Sequence, residues 1–253
     1  MNKNIIYKTS ELERFFSKNR IEWNQFYESE RIVVEHVKPS PNAKVLDIGC
    51  GCGGLGIALM QRFGVTNYTG VEINEAAAAS AKKIIPGAAI VCGDFLTLPV
   101  DSLRQNSYDI VFSLSCIDWN MTFGEMLSEA WKLVKSGGYF IATFRITIET
   151  GLSDINKSYQ YINYSGKMEG EVAPYVVVNA SELMRRLITL EPRTVFAYGY
   201  YGCPSKTAVT PYGKLCFAAI AIQKAVDTED LALELNLPDD IRTEMLKNMS
   251  FET

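Results

Sequence analysis

The sequence predicts a single doubly wound α/β domain, a mostly parallel sheet with helices on both faces. Two observations predict this class. Short apolar strands alternate with helix-prone stretches from about residue 44 onward, which is typical of a parallel sheet. The first strand, VLDI at 45–48, runs into a glycine-rich turn and then into the helix-prone stretch LGIALMQRF. The chain has 253 residues and is 47% hydrophobic, which is enough to bury one sizeable core.

Five glycines follow the first strand: Gly49, Gly51, Gly53, Gly54 and Gly56. Glycine has no Cβ, so backbone N–H groups and the positive end of the next helix can approach a ligand closely. The turn therefore predicts a nucleotide-like ligand. Gly51, Gly53 and Gly56 also satisfy the G-x-G-x-x-G dinucleotide pattern, so a nicotinamide-dependent oxidoreductase is one interpretation. A purely structural turn is another.

Three carboxylates lie at the ends of three successive strands. Asp47 ends the first strand, where it would repel a pyrophosphate but suits an ammonium or sulfonium group. Glu72 ends NYTGVEI, where an acid can accept hydrogen bonds from both ribose hydroxyls. Asp94 ends the third strand, AAIVCGD. The charge of Asp47, and the lack of an obvious proton donor such as a Tyr-x-x-x-Lys pair, count against the oxidoreductase.

The acid-x-Gly-x-Gly-x-Gly form of residues 47–53 resembles the first motif of the class I S-adenosylmethionine-dependent methyltransferases. The segment WKLVKSGGYFIAT is similar to the helix, glycine turn and fifth strand of that family, and the resemblance covers about residues 42–145. It implies a Rossmann-like sheet of seven strands in the order 3-2-1-4-5-7-6 with strand 7 antiparallel. It also implies S-adenosylmethionine as the methyl donor and S-adenosylhomocysteine as the product.

The resemblance further implies where the cofactor is held. Asp47 would face the amino-acid moiety, Asp94 would accept from the adenine amino group, and the neighbouring Phe95 would pack on the ring. An aromatic residue of the N-terminal helix, Trp23, would cover the cofactor; the alternative is an amphipathic helix that covers one edge of the sheet. The expected cofactor-binding residues are Asp47, Gly49, Cys50, Gly51, Gly53, Glu72, Ile73, Gly93, Asp94, Phe95, Ser113, Ser115 and Trp23.

Three segments are expected along the chain: an N-terminal helical cap at 1–40, a core at 41–226 and a tail of two short helices at 227–253. Within the cap, residues 10–38 look helical, and Ser10 is a candidate N-cap.

Two long polar connections, at about 149–179 and 199–213, leave the carboxyl ends of strands five and six. Ligands bind beyond the carboxyl ends of strands in doubly wound sheets. These connections and residues 115–122 therefore predict the substrate pocket.

Methylation of a hydroxyl requires a group that accepts one proton, and Asp118 is the preferred candidate for a general base. A turn-forming role for Asp118 is the alternative. Arg145 and Lys206 could hold a phosphate or carboxylate, or could be solvated surface charges. The expected substrate-binding residues are Trp119, Asn120, Arg145, Tyr159, Tyr200, Tyr201 and Lys206, with Tyr161, Tyr164 and Ser205 nearby.

Several classes of partner are not expected. The net charge of −4 argues against a sequence-independent nucleic-acid binder. The segment SCIDWN lacks the Pro-Pro pattern of methyltransferases that act on planar amino groups of bases or glutamine.

The longest apolar run, CFAAIAI at 216–222, is too short to cross a bilayer, so we expect a cytoplasmic protein. We expect it to be a monomer or a homodimer. One C-x-C and a single histidine predict no metal site.

The segments INKSYQYIN and YGYYGCPSKTAVTPYG are similar to methyltransferases found with bacterial capsule or surface-polysaccharide genes. This resemblance implies a small-molecule acceptor that is phosphorylated or nucleotide-activated. The expected reaction is O-methylation of a sugar or phosphoryl-type group on a polysaccharide precursor, and N- or C-methylation of another small metabolite is the alternative.

Overall fold

The central sheet forms because apolar strands alternate with amphipathic helices along the chain. The computed structural model describes residues 8–85, 87–99, 103, 108–163, 165–227, 230–247 and 249. Its helices are α1 (Glu11–Phe16), α2 (Glu28–Val37), α3 (Gly54–Phe63), α4 (Glu75–Ile84), α5 (Phe123–Leu133), α6 (Ala180–Ile188) and α7 (Asp239–Leu246). Its strands are β1 (Lys44–Ile48), β2 (Asn67–Glu72), β3 (Ala89–Cys92), β4 (Tyr108–Ser113), β5 (Val134–Thr147), β6 (Tyr159–Tyr161), β7 (Val172–Pro174), β8 (Val178–Asn179), β9 (Pro192–Gly202), β10 (Ala208–Val209), β11 (Leu215–Lys224) and β12 (Ala232–Asn236).

The order of the large sheet is β12-β9-β11-β5-β4-β1-β2-β3, with β8 paired to β5. β11 runs antiparallel to both β5 and β9, and the other pairs are parallel. Counting only the seven predicted strands, the order is the expected 3-2-1-4-5-7-6. The predicted fold class is therefore confirmed, with two additional strands.

Helices cover both faces of this sheet and bury two apolar layers. One layer packs α5, α6 and α7 against the sheet, and the other packs α2, α3 and α4 against the opposite face. The parallel strands β1 to β5 thus end at one common edge, where the loops that follow them meet. None of the helices in the described ranges has both the length and the apolar content needed to span a bilayer.

The tail differs from the expected pair of helices. Residues 232–236 form β12, which pairs in parallel with β9, and among the described residues of the tail only α7 is helical. The leucines of LALELNL alternate with other residues, which is the period of a strand rather than a helix. The predicted helix at the start of this tail is therefore wrong, because the alternation favours a strand at 232–236.

The N-terminal segment also differs from a continuous helix at 10–38. α1 and α2 are separated by a link that contains a 3₁₀ turn at Trp23–Gln25, and Arg20 in this link has a left-handed backbone with φ of 62°. Ser10 precedes α1 but makes no side-chain capping bond. The break turns the chain back over the sheet edge.

The two long connections fold together rather than remaining irregular. β6 and β7 from the first connection pair with β10 from the second, in the order β10-β6-β7. The Tyr161 N–H also donates to the Thr207 carbonyl at 3.0 Å. We call this three-stranded sheet the roof, because it covers part of the edge of the large sheet beside β5 and β9.

A cavity at the carboxyl edge of the sheet

A cavity of about 1020 Å³ lies where β1, β2, β4 and β5 end. Its wall contains the glycine turn, the loop after β4, the N-terminal segment and part of the roof. Pockets for small ligands commonly measure about 300–1,000 Å³. This cavity therefore has room for a cofactor and a second small molecule.

The glycine turn shapes one end of the cavity by close backbone packing. A Cβ at Gly49 would lie 2.3 Å from Cys116 Sγ, and Gly49 has a left-handed φ of 78°. A Cβ at Gly54 would lie 1.8 Å from the Arg20 carbonyl oxygen. Both positions therefore require glycine, the first for the turn and the second to let the N-terminal segment pack on α3.

Glu72 is fixed by the backbone of this turn. Its two carboxylate oxygens accept hydrogen bonds from the N–H groups of Gly51 and Asn74, each at 2.8 Å. Burial raises the pKa of Glu72, and these N–H groups oppose that rise. Because the N–H donors hold its position, the carboxylate is a preformed acceptor on the cavity wall.

Asp47 is 3% exposed at the end of β1 and also lines the cavity. The Tyr68 hydroxyl donates to its carboxylate at 2.5 Å. Burial nevertheless raises the pKa of Asp47 to about 7, and the charge of nearby Arg20 opposes this rise. A cationic ligand beside Asp47 would hold the carboxylate ionised.

The N-terminal segment covers this end of the cavity. Phe16, Arg20 and Phe26 line it, together with Tyr27, which is 57% exposed. Trp23 does not line the cavity, because the 3₁₀ turn directs it toward α3, where it packs on Phe63 with ring centroids 5.6 Å apart. A contact between Trp23 and the cofactor stays a prediction.

Asp118 and Arg145 form a buried ion pair at the other end. Arg145 Nη2 lies 3.3 Å from Asp118 Oδ2, and Arg145 Nη1 donates to the Asp118 carbonyl at 2.6 Å. Burial raises the pKa of Asp118, and Arg145 opposes the rise. Asp118 Oδ1 is buried and has no hydrogen-bond partner within the described part of the chain. This oxygen is an acceptor without a donor.

Arg145 is held rigidly. Its guanidinium lies between the rings of Trp119, at 4.3 Å, and Tyr175, at 3.8 Å, and the residue is only 4% exposed. Arg145 is therefore neither a solvated surface charge nor a readily available anion site, since its charge is committed to Asp118.

Other expected substrate residues divide between the cavity and its surroundings. Trp119, Asn120, Tyr200 and Lys206 line the cavity, whereas Tyr159 and Tyr201 do not. Neighbouring residues of a strand point to opposite faces. The Tyr201 hydroxyl accordingly donates to Asp240 of α7 at 2.5 Å.

In the first connection, the wall is formed by residues 160–163 instead of Tyr159. The side chain of Tyr159 packs on the ring of Tyr161, with centroids 5.6 Å apart. Substrate contacts of Tyr159 and Tyr201 stay predictions, and Tyr164 lies outside the described residues.

Among the expected cofactor residues, Asp47, Gly49, Cys50, Gly51, Glu72, Ile73 and Ser115 line the cavity. Gly53, Gly93, Asp94, Phe95 and Ser113 lie outside its wall. Asp94 accepts from the Leu96 N–H at 3.1 Å, and Phe95 is buried in the core. A contact between these five residues and the cofactor stays a prediction.

Sequence reasoning missed Arg20 and Tyr175, which both line the cavity. Arg20 precedes the aromatic-rich run IEWNQFY, and Tyr175 interrupts the apolar run of VAPYVVV. A charged or polar residue in such surroundings is a signal that could have marked both positions.

The strand order, the acid at the end of β1 and the glycine turn define the class I methyltransferase fold. Comparison with known proteins agrees: residues 46–142 match the family described as a methyltransferase domain. The chain therefore carries a class I S-adenosylmethionine-dependent methyltransferase domain, and the predicted family and cofactor are confirmed. The match favours the sulfonium donor over the nicotinamide cofactor considered for the glycine pattern.

Two curated relatives and one solved structure illustrate the similarity. 24-Methylenesterol C-methyltransferase 3 of Arabidopsis thaliana is 31% identical over 126 residues, covering 47% of this chain and 34% of the relative. A phthiotriol/phenolphthiotriol dimycocerosates methyltransferase of Mycobacterium tuberculosis is 32% identical over 99 residues, covering 38% and 36%. The matches thus span about a third of each relative's length.

The crystal structure of an S-adenosylmethionine-dependent methyltransferase from Thermotoga maritima, described as a possible histamine N-methyltransferase, aligns with a TM-score of 0.50 at 23% identity. The alignment covers 85% of this chain and 95% of the other. It supports the fold.

Proposed function

We propose that this protein transfers the methyl group of S-adenosylmethionine to a hydroxyl of a small polar acceptor. The observation that carries the proposal is Asp118 Oδ1, a buried carboxylate oxygen to which none of the described residues donates, in a residue that lines the cavity. A buried acceptor of this kind is costly unless a ligand supplies the donor. A hydroxyl group supplies one.

The residues at the opposite end fit the cofactor. Asp47 provides a buried negative charge for the ammonium of the amino-acid moiety, and Glu72 provides an oriented acceptor for ribose hydroxyls. When bound, the cofactor supplies a methyl group that its positively charged sulfur has already activated. The protein must therefore align the acceptor and accept one proton.

The proposed role of Asp118 is to accept that proton. A hydroxyl that is methylated must lose its proton, and Asp118 Oδ1 would take that proton. Arg145 holds Oδ2 and the Asp118 backbone, which leaves Oδ1 as the carboxylate oxygen that can accept from a hydroxyl. Arg145 is thus a positioning residue.

The proposed acceptor is a sugar or phosphoryl-type group of an activated surface-polysaccharide precursor. Lys206 and Ser205 are exposed at the roof side of the cavity, where they can contact an anionic group.

All six cysteines are free, as expected of a protein in the reducing cytoplasm, where we place the reaction. Methylation at carbon is the alternative, since the sterol relative is named a C-methyltransferase.

The test combines cofactor titration with turnover of nucleotide sugars and small phosphorylated sugars. We expect S-adenosylmethionine to bind by isothermal titration and an acceptor to gain one methyl group by mass spectrometry. Asp118→Asn should lower kcat by about 10²–10⁴-fold, the usual contribution of a general base, and leave cofactor affinity unchanged. Asp240→Asn, which changes a carboxylate bonded to Tyr201 outside the cavity, is the matched control. Wild-type turnover retained in Asp118→Asn would refute the proposed base.

A further inference from the structure

We infer that Arg20 binds the carboxylate of the cofactor's amino-acid moiety, beside the Asp47 carboxylate that faces its ammonium. The inference rests on the proposed use of S-adenosylmethionine. It makes the N-terminal segment part of the donor site, rather than a cover that packs on it.

Among the described residues, three cations line the cavity: Arg20, Arg145 and Lys206. Arg145 is paired with Asp118 at the end of the cavity opposite the glycine turn. Lys206 is exposed in the loop between β9 and β10. Arg20 alone lies by the glycine turn, since its carbonyl oxygen abuts Gly54.

The surroundings of Arg20 hold its guanidinium in place. It lies over the ring of Phe26, at 4.7 Å, and near that of Tyr27, at 5.3 Å. Nη2 donates to Glu30 Oε1 at 2.8 Å, while Glu30 Oε2 accepts from the Tyr27 N–H at 2.9 Å. Glu30 is 1% exposed, so it is a fixed partner that orients Arg20.

The same contacts leave donors available. Within the described chain, Nη2 is the guanidinium nitrogen of Arg20 that makes a hydrogen bond, and Nε and Nη1 have no protein acceptor. An arginine with one edge held and another open can form charge-assisted bonds to a carboxylate. Because Arg20 lines the cavity, the carboxylate of a bound ligand can reach these donors.

Charge balance points to a zwitterion rather than a simple anion. Asp47 and Glu72 line the same end of the cavity and would repel an isolated negative group. An α-amino acid moiety avoids this repulsion, because its ammonium meets Asp47 while its carboxylate meets Arg20. The paired charges of the site therefore match both charges of the ligand.

The test compares two ligands on the same protein: S-adenosylmethionine and its decarboxylated form, which lacks only the carboxylate. We expect wild type to prefer S-adenosylmethionine by about 10–100-fold, the effect of one or two hydrogen bonds to a charged group. In Arg20→Met this preference should fall to within about threefold, because only the carboxylate-bearing ligand loses a partner. Arg186→Met, which removes a surface arginine paired with Glu182, is the matched control and should keep the preference.

The ratio of the two affinities is measured on one protein, so a partly destabilised variant still reports it. If Arg20→Met does not fold because Glu30 is left buried and unpaired, the double variant Arg20→Met/Glu30→Gln removes both charges and is tested in the same way. An unchanged ratio in the folded variant, or no preference in wild type that binds both ligands, would overturn the inference alone. Wild type that binds neither ligand would overturn the proposed function as well.

Discussion

Replacing Asp47 with asparagine should stabilise the cofactor-free protein and lower its affinity for the cofactor. Burial raises the pKa of Asp47 from 3.8 to about 7. At about 1.36 kcal/mol per pKa unit, this rise corresponds to about 4 kcal/mol of folding free energy lost once the carboxylate is ionised. Asparagine is uncharged and can still accept from the Tyr68 hydroxyl, so it avoids that loss.

The sign of the pH dependence follows from the direction of the pKa change. A carboxyl group that binds its proton more tightly when folded favours the folded state at low pH. Wild-type stability relative to Asp47→Asn should therefore fall between about pH 4 and pH 7 and then level off. The two proteins should have similar free energies of unfolding near pH 4.

The assay is urea unfolding of both proteins without cofactor across this range. At pH 8 we expect Asp47→Asn to be more stable by up to about 4 kcal/mol, which corresponds to a melting temperature higher by up to about 8–16 °C. Titration with S-adenosylmethionine should show the reverse order, because the ammonium loses its ionic partner. A variant less stable than wild type at pH 8, or a difference independent of pH, would refute this reasoning.

Two further substitutions test the packing around the cavity. Gly54→Ala should displace the N-terminal segment, because the new Cβ would lie 1.8 Å from the Arg20 carbonyl oxygen. Thermal unfolding should show a loss of about 1–3 kcal/mol together with weaker cofactor binding, whereas Gly213→Ala, which enters open space, should show neither. Arg145→Met should cost about 3–5 kcal/mol in urea unfolding, since Asp118 is left buried without its partner. Equal stability of Arg145→Met and wild type at pH 8 would contradict the importance of that ion pair.

Local patterns were enough to predict the donor half of the molecule. The step from β1 through the glycine turn into α3 depends on residues close in sequence, and the acids at Asp47 and Glu72 follow directly from the strand ends. The order of the seven main strands came from the family resemblance. The strand, the turn and the two acids are encoded within short stretches, so they could be predicted before the structure was known.

Features that depend on distant contacts were not predictable in this way. Which of Tyr200 and Tyr201 faces the cavity depends on the register of β9, and a one-residue change reverses the two faces. Arg20 gains its position by contact with Gly54, more than thirty residues along the chain. Trp23 turns away because a 3₁₀ turn interrupts the helical period on which its expected position depended.

The roof has a consequence for how acceptor choice can change. Its strands come from two separate connections, but backbone hydrogen bonds join them, and these do not depend on side-chain identity. Residues of the roof that line the cavity, such as Gln160 and Tyr161, can therefore be exchanged without disturbing the glycine turn or the strand-end acids. Recognition of a new acceptor can evolve here while the chemistry of the methyl donor stays intact.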